Sequence, residues 1–174
     1  MFAYSPGTEQ YEIIKSIVQA TGCQKYLELG ISEGINIQYI SQVCSDCTGV
    51  DIVDRRKFKD FKFHHTTTDH FFKKNTEKFD TIFIDADHSF EQVKKDFNNS
   101  IKILNKFGII FLHDTDPISK EYTNKSLCGD SFKIVDYIIN SRIDWNIVTL
   151  PISVTGLSIV NRKRERRVNE HNNI

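Results

Sequence analysis

Short apolar runs and helically spaced segments alternate along the chain, and this alternation constrains the fold more than any other feature. The clearest run is "FDTIFIDAD", residues 79–87, whose "TIFI" core is apolar at consecutive positions. Side chains alternate faces along a strand, so a continuously apolar run needs cover on both faces, as a central parallel strand has. Residues 89–104 follow with Phe90, Val93, Phe97, Ile101 and Leu104 at steps of three and four, the spacing of one helix face. Ser89 and Gln92 stand in capping-box relation, which predicts a helix that starts at Ser89.

The same unit recurs. Residues 8–21 carry Tyr11, Ile14, Ile17 and Val18 at helical spacing, with Gly22 as a stop. "KYLELG" (25–30) reads as a buried strand, and residues 34–44 as a helix through Ile37, Ile40 and Cys44. "TGVDIV" (48–53) and "FKFHHT" (61–66) read as strands, with a short helix over 69–74. "GIIFLHDT" (108–115) reads as a strand and residues 130–141 as a helix. The last two runs, 145–151 and 155–161, are too close for a parallel crossover, which needs about a dozen residues, so they are expected to be antiparallel. The expected fold class is α/β: a Rossmann-like three-layer sandwich with a seven-stranded, mostly parallel sheet and an antiparallel last strand. Residues 1–161 read as one domain, and residues 162–174 as a polar basic tail that frays.

Lys plus Arg and Asp plus Glu both number 23, so net charge makes no case for nucleic acid or an anionic membrane surface. "MFAYSPGTEQ" lacks the basic start and apolar core of a signal peptide, and no apolar run approaches the ~20 residues that span a bilayer. A cytoplasmic protein is expected, with self-association left open. Of the four cysteines, Cys44 and Cys47 have C-x-x-C spacing, but no second pair exists to complete a metal knuckle. The pair precedes a strand rather than opening a helix, where a thiolate would be stabilised, so all four read as reduced structural thiols.

In "KYLELGISEGINIQYI" a strand turns into a helix through a carboxylate, Glu28, and two glycines, Gly30 and Gly34. In an open parallel sheet, ligands bind beyond the carboxyl ends of the strands, where this turn lies. Ser32 occupies the middle position of a G-x-G-x-x-G pattern, which argues against a pyrophosphate cradle and a nicotinamide oxidoreductase. Glu28 suits a ligand that carries hydroxyls or positive charge.

E-L-G-x-x-x-G, Asp51 ending the next strand and Asp69 after the third resemble class I S-adenosylmethionine-dependent methyltransferases. The resemblance implies that Glu28 and the Gly30–Gly34 loop flank the methionine moiety, that Asp51 accepts from the ribose hydroxyls, and that Asp69 lies near the adenine amino group. "FIDADHSFEQVKKDF" and "GIIFLHDTDP" are similar to the D-G-x-H-x-Y-E and H-D signatures of a small-molecule O-methyltransferase subgroup, which includes metal-dependent macrolide-sugar enzymes and is distantly related to the catechol type. Ala86 stands for the usual glycine, Phe90 for the usual tyrosine, and Thr115 where the catechol type has asparagine.

That resemblance implies a divalent cation, Mg²⁺ by expectation, on Asp85, Asp114 and Thr115, with Asp85 also beside the cofactor and His88 as general base toward a small-molecule or sugar hydroxyl. Two acids ending neighbouring strands, ~4.8 Å apart, can share one hard cation. His113 reads as a strand histidine with a local hydrogen bond. Two other uses of the scaffold stay open: a hydroxylase with iron on His88, His113 and Asp85, and a cofactor-binding module without turnover. Residues 116–129 form the only long loop near the expected cleft and are expected to recognise the acceptor.

Overall fold

The structure, a computed structural model, describes residues 10–164. Residues 8 and 9 of the expected first helix, and residues 165–174 of the expected tail, lie outside the described residues. The elements follow one another as α1 (Gln10–Thr21), β1 (Lys25–Leu29), α2 (Ile35–Ile40), β2 (Asp46–Asp51), β3 (Lys62–His65), α3 (Thr68–Lys74), β4 (Phe79–Ile84), α4 (Phe90–Ile103), β5 (Leu104–His113), α5 (Ile134–Ser141), β6 (Trp145–Leu150) and β7 (Leu157–Arg162). The seven strands make one sheet in the order β3-β2-β1-β4-β5-β7-β6. The first five are parallel, whereas β7 runs antiparallel between β5 and β6. No helix among the described residues is long and apolar enough to cross a membrane.

Period-two alternation divides the core. Leu27, Leu29, Ile82, Ile84, Ile110 and Leu112 face α4 and α5, against Phe97, Ile134 and Ile138. Tyr26, Phe83 and Phe111 face the other way, against Ile14 and Val18 of α1 and Ile37 and Ile40 of α2. This double cover is what the unbroken "TIFI" run requires.

Several boundaries differ from the sequence expectation. The α2 helix stops at Ile40, four residues early, because the chain must turn within 41–45 to start β2 at Asp46. Pairing with β1, Lys25 opposite Asp46, recruits the polar start of β2, which an apolar-run reading does not see. Ile52 and Val53, expected in this strand, lie exposed beyond it. The capping box is not made. Ser89 is the N-cap of α4, but its side chain accepts no cap bond. Asp130 Oδ1 takes the Phe90 N–H instead, at 2.7 Å, and the Gln92 amide donates to Thr68 Oγ1 and Asp96 Oδ1 at 3.1 and 3.0 Å.

That Asp96 is fully buried, and its Oδ2 has no hydrogen-bond partner among the described residues. Burial pushes its carboxyl from 3.8 up to about 6. Between those values the folded chain holds a proton that the unfolded chain has released, so stability falls as pH rises through this window. Asp96→Asn is expected to abolish that fall and to add roughly 2–3 kcal/mol at neutral pH. Urea denaturation across this window is the check, and an unchanged slope in the variant would count against the assignment.

Candidate active site

The carboxyl ends of β1, β2, β3 and β4 open into two adjoining hollows. One, of about 260 Å³, is lined by Asp51, Thr66, Thr67, Thr68, Asp69 and Gln92. The other, of about 700 Å³, is lined by residues that include Glu28, Ser32, Asn36, Arg55, Asp85 and His88. Gly30, Asp51, Ile52 and Ala86 border both, so the two form one elongated cleft. Six of the site residues expected from sequence therefore share one cleft: Glu28, Gly30, Asp51, Asp69, Asp85 and His88.

Each is held for a local reason. Glu28 points to the same face of β1 as Tyr26, two residues earlier, and is 1% exposed. It accepts from Tyr26 Oη at 2.8 Å and from Asn36 Nδ2 of α2, so its partners are a phenol and an amide rather than a cation. Burial pushes its carboxyl up to about 8, against the pull of those two donors. Asp51 is committed to the backbone: Oδ2 accepts from the N–H groups of Ile31 and Ser32 at 3.0 and 2.9 Å, and Oδ1 from Val53 at 2.9 Å. It thereby shapes the turn after β1 as well as facing the cleft. Asp69 lies in the first turn of α3, paired with Lys95 at 3.3 Å, and Gln92 and Lys95 pull its carboxyl below the usual range.

The glycines act through the backbone. Gly30 has φ +84, and a Cβ there would lie 2.5 Å from Ala86 Cα and overlap the Asp85 carbonyl. The close approach that glycine allows is thus between the ends of β1 and β4. Gly34, with φ +79, precedes α2 against the Phe61 ring and does not line the cleft.

Strands β4 and β5 are neighbours, Ile84 opposite Leu112, and the acids beyond their ends converge. Asp114 has φ 58 and is 4% exposed. Ser131 Oγ lies 3.0 Å from its carbonyl oxygen, which helps to hold this conformation. Burial pushes its carboxyl up, and His113 and His88 pull it back. His113 Nδ1 lies 3.0 Å from Asp85 Oδ1 and 3.2 Å from Asp114 Oδ1, while its Nε2 meets Thr155 Oγ1 at 3.1 Å. His88 Nε2 approaches Asp114 Oδ2 at 3.4 Å.

Asp85, His113 and Asp114 can offer ligand atoms that all lie within 4.8 Å of one another, among the described residues. The sequence favours a structural role for His113 and makes it a ligand only in the hydroxylase alternative. The structure gives it a hydrogen bond to Thr155, 42 positions along the chain, and adds it to the acidic cluster. Thr115 goes elsewhere. It is 5% exposed, and its Oγ1 accepts from Ser158 on β7 at 2.9 Å, because the residue after Asp114 turns toward the sheet. The adjacency of His113 to an acid at a strand end was the available signal for the first departure. Nothing in the sequence marked the second.

The loop over 116–129 borders the cleft through Ser126. Thr123, Lys125 and Gly129 line a further hollow of about 470 Å³ that shares His88. Asp130 N–H donates to the His88 carbonyl at 3.0 Å, so the end of this loop fixes the histidine's backbone.

The family described as methyltransferase domain matches residues 27–115, the stretch from the middle of β1 through the acidic cluster. The chain belongs to this methyltransferase family. Solved structures of similar fold include an O-methyltransferase from Bacillus cereus in complex with SAH, 16% identical, TM-score 0.72, covering 92% of this chain and 84% of that one. Another is the O-methyltransferase TomG from Streptomyces achromogenes in complex with SAM, 11% identical, TM-score 0.69, covering 94% and 84%. A third is the N-methyltransferase NodS from Bradyrhizobium japonicum WM9, 14% identical, TM-score 0.64, covering 90% and 95%. At these identities the methyltransferase shares a fold with them, and since one of the three transfers to nitrogen, the fold alone does not choose the acceptor atom. No curated protein matches the chain.

Proposed function

We propose that this methyltransferase passes the methyl group of S-adenosylmethionine to a hydroxyl oxygen of a small molecule or sugar, with a divalent cation assisting. The observation that carries the reading is that the Asp85–His113–Asp114 cluster reaches, through Asp85 and beside His88, the elongated hollow bounded by Glu28, Gly30, Asp51 and Asp69.

The residues fit the cofactor. Asp51 spends three lone-pair positions on backbone donors and keeps room on Oδ1 for a ribose hydroxyl, since a carboxylate offers about four. Asp69 and Gln92 supply polar atoms for an adenine amino group in the smaller hollow. Glu28, whose carboxyl burial pushes up to about 8, gains a reason to ionise when an ammonium or sulfonium arrives. When bound, the cofactor supplies an electrophilic methyl group.

The donor set also fits a cation. Two carboxylates and an imidazole nitrogen suit Mn²⁺, Fe²⁺ or Zn²⁺ better than Mg²⁺, which prefers oxygen alone. When bound, such a cation supplies Lewis acidity beside the acceptor. His88, one-third exposed at the border of two hollows, takes the acceptor's proton at Nδ1, while Asp114, 3.4 Å from Nε2, orients the ring. Cleft walls that hold oxygen and methyl in line supply the remaining rate through proximity. The hydroxylase arrangement is less supported, because the clustered set holds two carboxylates and one histidine, without His88.

S-adenosylhomocysteine is expected to bind in calorimetry and to raise the melting temperature. Asp51→Ala is expected to weaken that binding by roughly 1.5–3 kcal/mol, because it removes a charged acceptor and loosens the Ile31–Ser32 turn. If the wild type ignores S-adenosylhomocysteine and binds NAD, the proposal fails.

A further inference from the structure

A second constellation lies at the opposite end of the sheet, where the strands begin. The β1–β2 register pairs Lys25 with Asp46, and two residues before each comes a cysteine, Cys23 and Cys44. Extending the register sets these two side by side, and their sulfurs are 4.0 Å apart. Cys47, at the start of β2, directs its thiol to the Cys44 carbonyl at 3.2 Å. All three are buried, at 4%, 2% and 3% exposure. A hollow of about 420 Å³, walled by Gly22, Gln24, Asp80, Asn105 and Phe107, reaches Cys23 from outside.

We propose that Cys23 and Cys44 form an oxidisable dithiol site, closed to a disulfide by a small peroxide that enters through this hollow. The placement favours this pair over Cys44 and Cys47. Neighbouring parallel strands lie ~4.8 Å apart, and disulfides span Cα separations of roughly 4.4–6.8 Å. The sulfurs must close from 4.0 Å to about 2.05 Å, a movement within reach of side-chain rotation. The C-x-x-C pair instead runs into a strand rather than opening a helix, the setting that serves redox catalysts of that spacing.

The chemistry balances. The Cys23 sulfur, which the hollow reaches, attacks one peroxide oxygen, the O–O bond breaks, and the thiol proton leaves with the departing oxygen as water. The Cys44 sulfur, 4.0 Å away, then attacks the sulfenic sulfur, the S–O bond breaks, the S–S bond forms, and the second thiol proton leaves in a second water. The product would tie the connection before β1 to the connection before β2, beneath α1 and α2.

The test treats the full-length protein with dilute hydrogen peroxide, then alkylates under denaturing conditions and maps peptides by mass. Cleavage before Asp46 separates Cys44 from Cys47. The expected result is the loss of two hydrogen atoms, alkylation of only Cys47 and Cys128, and a peptide joining Cys23 to Cys44, all reversed by dithiothreitol. A Cys44–Cys47 link, oxygen addition without a cross-link, or four alkylated thiols would each overturn the proposal. Folded Cys47→Ala is expected to keep the Cys23–Cys44 link in full, and its loss there would overturn the pairing; the wild-type map decides alone if that variant does not fold.

Discussion

Asp114→Asn is expected to lower kcat/KM by roughly 10²–10³-fold while leaving the affinity for S-adenosylhomocysteine nearly unchanged. Asparagine is the right probe because Asp114 has φ 58, a left-handed conformation that asparagine tolerates and most residues do not. The amide keeps the shape and removes the charge that His88 and His113 both approach. The expected contacts to the adenosine half of the cofactor, at Asp51 and Asp69, lie on β2 and α3, so binding should survive. Asp85→Asn should behave alike, and His88→Ala should lower kcat and kcat/KM together, by roughly 10²–10⁴-fold, as loss of a proton acceptor does. Initial rates on a hydroxylated acceptor found by screening, with Mn²⁺ titration calorimetry, are the measurements. Full activity of Asp114→Asn in the presence of a chelator would remove both the cation and the histidine pairing from the reaction.

Gly30→Ala should cost roughly 3–5 kcal/mol of stability and take cofactor binding with it. Two penalties add: φ is +84, and the new methyl would overlap the Asp85 carbonyl with Ala86 Cα 2.5 Å away. Relief requires β1 and β4 to part at the end where both hollows meet. Gly22→Ala is the control. Its φ is +66, but a Cβ there would meet open space, so only the conformational penalty of about 1–2 kcal/mol applies. Equal losses in the two variants, by urea denaturation, would show that the close approach contributes nothing.

The order of elements was legible because burial on both faces writes itself into a sequence. "TIFI" must be a covered strand, and the 145–151 and 155–161 runs are too close to be parallel neighbours. Acids at or just beyond strand ends were legible in the same way: Glu28, Asp51 and Asp85 reach one cleft, joined there by Asp69 from the first turn of α3. Boundaries were less so where pairing, not hydrophobicity, sets them: Asp46 and Cys47 join β2 through the β1 ladder. The capping box failed because Asp87 took the Ser89 N–H and the Gln92 amide turned to Thr68 and Asp96.

Local pattern in this chain thus determined which segments are strands, which faces are apolar and which ends carry carboxylates. Tertiary structure alone decided partners: that Glu28 meets Tyr26 and Asn36, that Asp51 braces the turn it faces, that His113 joins two acids while Thr115 turns to Ser158, and that Cys23 touches Cys44. The physical reason is range. Periodicity reports burial over a few residues, whereas each of these partnerships, except Tyr26 with Glu28 and His113 with its neighbour Asp114, joins positions that only the folded sheet and its helices bring within contact distance.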